Sequence, residues 1–147
     1  MSLQDRIQQD MKDAMRSGDK PRRDVIRLIL AAIKQREVDE RIVLNDDQIL
    51  VVLDKMAKQR RESIEQFTKA NRNDLVEQEN FELGIIKYYL PEQLDDSAID
   101  ALIDEALQTT GASTIKDMGK VMGILKPKLQ GRADMSTVSG RIKSKLS

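Results

Sequence analysis

Five basic side chains in the last third of the chain, Lys116, Lys120, Lys126, Lys128 and Arg132, surround two glycines placed four residues apart, Gly119 and Gly123. In a helix those glycines fall on one stripe, where each costs about 1 kcal/mol against alanine. A bare stripe lets another backbone come close. It suits either a neighbouring helix of the same chain, packed tightly, or a phosphate backbone held by the flanking cations. Gly131, at the entry to a last helix, adds free N–H groups where an anion could settle.

A second constellation ties helices together. Arg60 falls in an apolar stripe marked by Met56 and Ile64, where a charge must be paired or must snorkel to solvent. Glu79 and Glu82 lie on the side of the next helix marked by Leu75 and Ile86, and an Arg60–Glu79 or Arg60–Glu82 ion pair is the structural reading. The other use of Arg60 is as an anion-binding guanidinium at a groove.

Other chemistry finds no residues to run on. The chain has no Cys and no His, which removes disulfides, thiolate nucleophiles, imidazole acid/base catalysis and Cys/His metal sites. Gly119-Lys120 fails as a phosphate-binding loop, because Thr114 stands where the first Gly is needed and Val121 where the hydroxyl is needed. No Gly-x-Ser-x-Gly elbow occurs. The carboxylate pairs Asp46-Asp47 and Asp95-Asp96 sit in first turns of helices, where the macrodipole already explains them; Asp104-Glu105 does not. The expectation is no catalytic residue, no metal and no cofactor. With Trp absent and only two Phe and two Tyr, an aromatic stacking platform is not expected either.

The charge is unevenly spread. Lys+Arg and Asp+Glu are 25 each, but residues 74–110 are strongly acidic and residues 111–147 strongly basic. Such a chain can hold a polyanion locally without attracting it from afar, or the two blocks can simply be solvated helix faces.

The elements that must position these residues are helices. Leu3, Ile7, Met11 and Met15 repeat every four residues behind a Ser2 cap, and Gly18 stops them. Pro21 opens a second helix, with Val25, Leu28, Ile29, Ala32 and Ile33 as its stripe and Ile26 and Leu30 as a further edge. Asn45 and Gln48 have capping-box spacing before Ile49, Val52, Leu53, Met56, Ile64 and Phe67. Asn71 and Asn73 predict a turn and a cap for a fourth helix, ended by Pro91. Asp95 caps a fifth that closes at Gly111. Ser113 caps a short sixth, ended by Pro127, and Gly131 and Asp134 precede a weak seventh. The fold class is all-α, with a four-helix bundle over residues 1–91 and a three-helix part over residues 92–147.

In order along the chain, Lys58-Gln-Arg-Arg-Glu-Ser-Ile64, Ala70-Asn-Arg-Asn-Asp-Leu75, Tyr89-Leu-Pro-Glu-Gln-Leu94, Asp117-Met-Gly-Lys-Val-Met-Gly123 and Gly131-Arg-Ala-Asp134 resemble the motifs of the GatB/YqeY family. Lys87-Tyr88 and Met135 depart from that pattern. The resemblance implies four helices followed by three. The smaller part is similar to the tail of the B subunit of the tRNA-dependent amidotransferase, which helps to hold tRNA. It therefore implies tRNA, or a tRNA-bound enzyme, as the partner of an accessory module with a role in translation. Two rivals stand beside it. One is a carbon–nitrogen ligase using glutamine as nitrogen donor; the other is a protein adaptor using the acidic face of the fourth and fifth helices. Apolar runs are too short for a membrane span. A cytoplasmic monomer is the expectation.

Overall fold

The structure, a computed structural model, describes residues 1–146, which form seven α-helices and one 3-10 turn joined by short connections. No strand occurs among them, so the all-α expectation holds. The chain divides into two units, Met1–Leu90 and Pro91 onward, each with its own apolar core.

In the first unit, α1 (Leu3–Ser17) and α2 (Lys20–Glu40) are joined through Gly18, whose φ of 73° is the left-handed turn that ends a helix cheaply only at glycine. Asp19 caps α2 by accepting the Arg22 N–H. α3 (Asp46–Lys69) opens on a reciprocal capping box between Asn45 and Gln48. α3 packs most extensively on α4 (Asn73–Tyr89), and α1 on α2. Ile7, Ile26, Ile29, Ile33, Ile49, Leu53 and Ile86 are fully buried at the centre.

Several expectations need correction here. Arg72, not Asn73, precedes α4, and it makes no side-chain cap. Asn71 instead takes the left-handed turn at φ 56°, the conformation asparagine tolerates. The α2 stripe is centred on Ile29 with Val25, Ile26 and Ile33, leaving Leu28 exposed. In α1, Ala14 is buried rather than Met15, because the straight four-residue repeat drifts off the 3.6-residue period.

Tyr89 is buried through its ring, and its hydroxyl donates to Asp10 at 2.6 Å. Burial and the Asp10 carboxylate push this phenol well above the usual tyrosine range. Because the folded pKa exceeds the unfolded one, this contribution is complete below about pH 10 and is lost as pH rises beyond it. Tyr89→Phe should therefore cost about 1 to 2 kcal/mol at neutral pH, read by urea denaturation. A change below about 0.3 kcal/mol would mean that water replaces the bond without loss.

The second unit comprises α5 (Asp96–Thr110), the 3-10 turn Ile115–Asp117, α6 (Met118–Leu129) and α7 (Met135–Leu146). Asp95 caps α5 by accepting the Ala98 N–H, and Gly111 ends it at φ 66°. Ile103, Val121, Leu125, Leu129, Val138 and Ile142 fill the core. Ser113 is not the cap of α6: the Asp117 carboxylate takes the Ser113 and Thr114 N–H groups and winds a 3-10 turn first. Pro127 does not end α6 either. It lies exposed in the last turn, which runs on to Leu129, since proline there costs only one bond.

Candidate nucleic-acid interface

Opposite charges from the second half of the chain meet inside the second unit. Asp96, Asp100 and Asp104 are spaced by four along α5, and Arg141 and Lys145 by four along α7. Arg141 reaches Asp96 at 2.9 Å and both oxygens of Asp100 at 2.9 and 3.1 Å. Lys145 reaches Asp104 at 2.7 Å. These partners raise the pKa of both cations. The acidic face of α5 is thereby spent on holding α7, which weakens the adaptor reading.

The lysines around α6 are left over. Lys116, Lys120, Lys126 and Lys128 are exposed, and none makes an ion pair among the described residues. At about 100° per residue, Gly119, Lys120, Gly123, Lys126 and Pro127 of α6 all lie within about 60° of the Gly123 direction, and Lys116 is in the 3-10 turn that leads into them. Val121, Leu125 and Leu129 occupy the opposite, buried side. Lys128 stands off this face, at the helix end. Lys126 and Lys128 suit the last turn, where the macrodipole favours cations. Lys116 and Lys120 stand at the other end, against the dipole. Asp117, held ionised below the usual carboxylate range by the Ser113 and Thr114 N–H groups, offsets that cost beside Lys120.

The glycine stripe faces outward. Gly119 and Gly123 are exposed, and a Cβ added to either would meet nothing within 4 Å. They do not serve close packing of α6 on α5 or α7. Each therefore costs helix stability with no packing return inside the chain. Gly119→Ala and Gly123→Ala should each stabilise the second unit by about 0.5 to 1 kcal/mol, seen as a raised midpoint in thermal or urea unfolding. A loss of stability would mean that the stripe is occupied in the folded chain after all.

Gly131 and Arg132 have a different use from the one expected. Gly131 is buried at φ 77°, and its carbonyl accepts from Gln93 Nε2 at 2.6 Å. The Arg132 and Ala133 N–H groups donate to the Leu129 carbonyl, and Arg132 Nε donates to the Glu92 carbonyl at 3.2 Å. The start of α7 is occupied by the Asp134 carboxylate, which accepts the Ser136 N–H. The loop is thus a brace onto residues 92–94 rather than an anion seat.

In the first unit, Arg60 lies on α3 with Nε 3.9 Å from Glu79 and Nη2 3.9 Å from Glu82, all three side chains largely buried. The buried Nε has no hydrogen-bond partner. One guanidinium thus faces two carboxylates. Glu82 is raised by burial and by Glu79 and lowered by Arg60, with burial the largest influence. No group of three or more acidic side chains able to hold a metal occurs among the described residues. No helix among them is long and apolar enough to cross a membrane.

A family model described as "Yqey-like protein" matches residues 4–146. The chain belongs to the YqeY-like family. Several relatives are named "Altered inheritance of mitochondria protein 41, mitochondrial". This YqeY-like chain is 35% identical to the one from Pyrenophora tritici-repentis over 140 residues, covering 93% of the chain and 77% of the relative. With the Lachancea thermotolerans protein it shares 34% identity, covering 92% and 76%. The Eremothecium gossypii protein is 38% identical over 114 residues, covering 72% and 62%. These names correct the expected cytoplasmic location: the relatives of this YqeY-like chain are proteins named for mitochondria.

Proposed function

We propose that this YqeY-like protein is an accessory module that holds RNA by its phosphates, with tRNA, free or enzyme-bound, as the partner the family resemblance suggests. The observation that carries the reading is the α6 surface. Two outward glycines are flanked by unpaired lysines, while Arg141 and Lys145 of α7 are neutralised by α5. Lysines kept against the helix dipole and glycines kept against helix propensity both cost stability, and close contact with a polyanion accounts for both. The module acts by positioning, and no step of bond making is assigned to it. The names of its relatives suggest a mitochondrial setting, so mitochondrial as well as bulk tRNA are suitable probes.

With zero net charge, long-range steering is weak and affinity should be modest. Lys116 and the three α6 lysines give a slope of log K against log salt of about −3 to −4, by counterion release. Filter binding of tRNA at several salt concentrations measures it. No binding at low salt would overturn the reading, and glutamine-dependent amidation by the isolated chain would replace it with the ligase.

A further inference from the structure

Tyr88 stands near the end of α4 with more than half of its surface exposed (57%). Two guanidiniums lie against its ring: Arg6 Cζ is 5.0 Å from the centroid and Arg22 Cζ 5.6 Å. Arg6 comes from α1 and Arg22 from α2, so the cluster exists only because three helices converge. Behind it, Tyr89 meets Tyr88 edge to face at 5.1 Å and 78°, and the bond from Tyr89 to Asp10 anchors the backbone that carries Tyr88. The exposed ring is thus held in place by a buried neighbour.

The donors around this ring are almost unused. Among the described residues the Arg22 side chain makes no hydrogen bond or ion pair. Arg6 gives one N–H to the Tyr88 carbonyl, at 3.4 Å. Each guanidinium has five N–H donors in a fixed fork. Asp10, the acid of the cluster, is already engaged by the Tyr89 hydroxyl. What remains is a ring more than half exposed, with two cations set against it whose forks match phosphate geometry. A phosphorylated or acidic peptide would use the arginines and leave the ring idle. A paired base cannot offer its face. An unpaired nucleotide uses both features, since base–aromatic stacking and guanidinium–phosphate bonds are the two halves of single-strand recognition.

We infer that Tyr88, Arg6 and Arg22 form a site for one unpaired nucleotide of an RNA, its base stacked on Tyr88 and its phosphate on the two guanidiniums. The ligand class rests on the RNA reading above, while the residues are separate from the α6 surface. Composition argued against a stacking platform because aromatics are scarce. One ring supplemented by two guanidiniums needs no second aromatic.

The test uses the full chain and a fluorescein-labelled single-stranded oligoribonucleotide of mixed sequence, read by anisotropy. Tyr88→Leu should weaken binding by about five- to hundredfold without changing the salt slope, and Tyr88→Phe should restore it. Arg22→Ala should flatten the slope by about 0.7 units, the value for one phosphate of a single strand. The chain has no Trp, so wild-type tyrosine emission should fall as the oligonucleotide saturates. Three results would each overturn the inference: Tyr88→Leu binding within twofold of wild type, duplex RNA showing the same dependence on Tyr88, or adenosine monophosphate binding as tightly as the oligonucleotide. Circular dichroism checks that each variant is folded. Replacement of Lys120, Lys126 and Lys128 should leave the emission change at saturation intact. Failure of the α6 reading and failure of the Tyr88 site are therefore distinguishable.

Discussion

Replacing Lys120, Lys126 and Lys128 together by alanine should weaken tRNA binding by about 10²- to 10³-fold at 0.1 M salt and flatten the salt slope by about 2 to 3 units. Each phosphate neutralised on a duplex contributes close to 0.9 of a unit of slope, and at 0.1 M salt nearly one decade of affinity. The three side chains are exposed and make no ion pair among the described residues, so their loss strands no buried partner. Melting temperature should change little, which separates lost binding from lost folding. Binding should weaken alike for different tRNA sequences, since phosphate contacts carry no base identity. Arg132→Ala offers a contrast. It removes the bond to the Glu92 carbonyl, so its main effect should fall on stability rather than on the slope. Equal binding by wild type and the triple variant would return the α6 lysines to the status of a solvated helix end.

Arg60→Ala should destabilise the first unit by about 2 to 4 kcal/mol at neutral pH. Removing one partner of a fully buried ion pair costs about 3 to 5 kcal/mol. The lower range applies because these side chains keep 12 to 21% of their surface exposed and the separations are 3.9 Å. The sign of the pH dependence follows from Glu82. Burial raises its folded pKa above the ordinary glutamate value of 4.5, so its charged form opposes folding. As pH falls from neutral through that raised pKa toward 4.5, this opposition is relieved. Arg60 is the influence that lowers Glu82, so its removal should raise Glu82 further and the variant's deficit should shrink on acidification. Glu82→Gln should be as stable as wild type or more so at neutral pH. It removes the buried charge while leaving Glu79 to face Arg60. Urea denaturation of all three proteins near neutral pH and near pH 5 measures this. A deficit below about 0.5 kcal/mol, or one that does not change with pH, would mean that water screens the three charges independently.

Local chemistry was legible in the residues. The Gly18 and Gly111 stops, the Asp95 cap and the Asn45–Gln48 box depend on neighbours within a turn, so spacing along the chain is enough to read them. The all-α class followed from the same periodicity. What spacing could not decide was which side of an element meets another. Leu28 and Met15 carry the right residue type and stay exposed, because the buried arc is set by where the neighbouring helix lies. Pro127 signals a stop, yet the helix ran on two residues to Leu129, since a proline removes one helical hydrogen bond without fixing where the helix must end.

The candidate site divides in the same way. The types and order of Lys116, Gly119, Lys120, Gly123, Lys126 and Lys128 could be read directly, and so could the acidic and basic blocks. That the glycines point outward, that α5 carboxylates consume Arg141 and Lys145, and that Arg132 braces residue 92 required the folded chain. The Arg6–Tyr88–Arg22 cluster joins residues more than sixty positions apart, and no local pattern announces it. The sequence alone determined helices, caps and the supply of charge, because those depend on bonds and on neighbours within a turn. Only the tertiary structure decided which charges are cancelled and which stay available, because Coulomb partners are chosen by proximity in space.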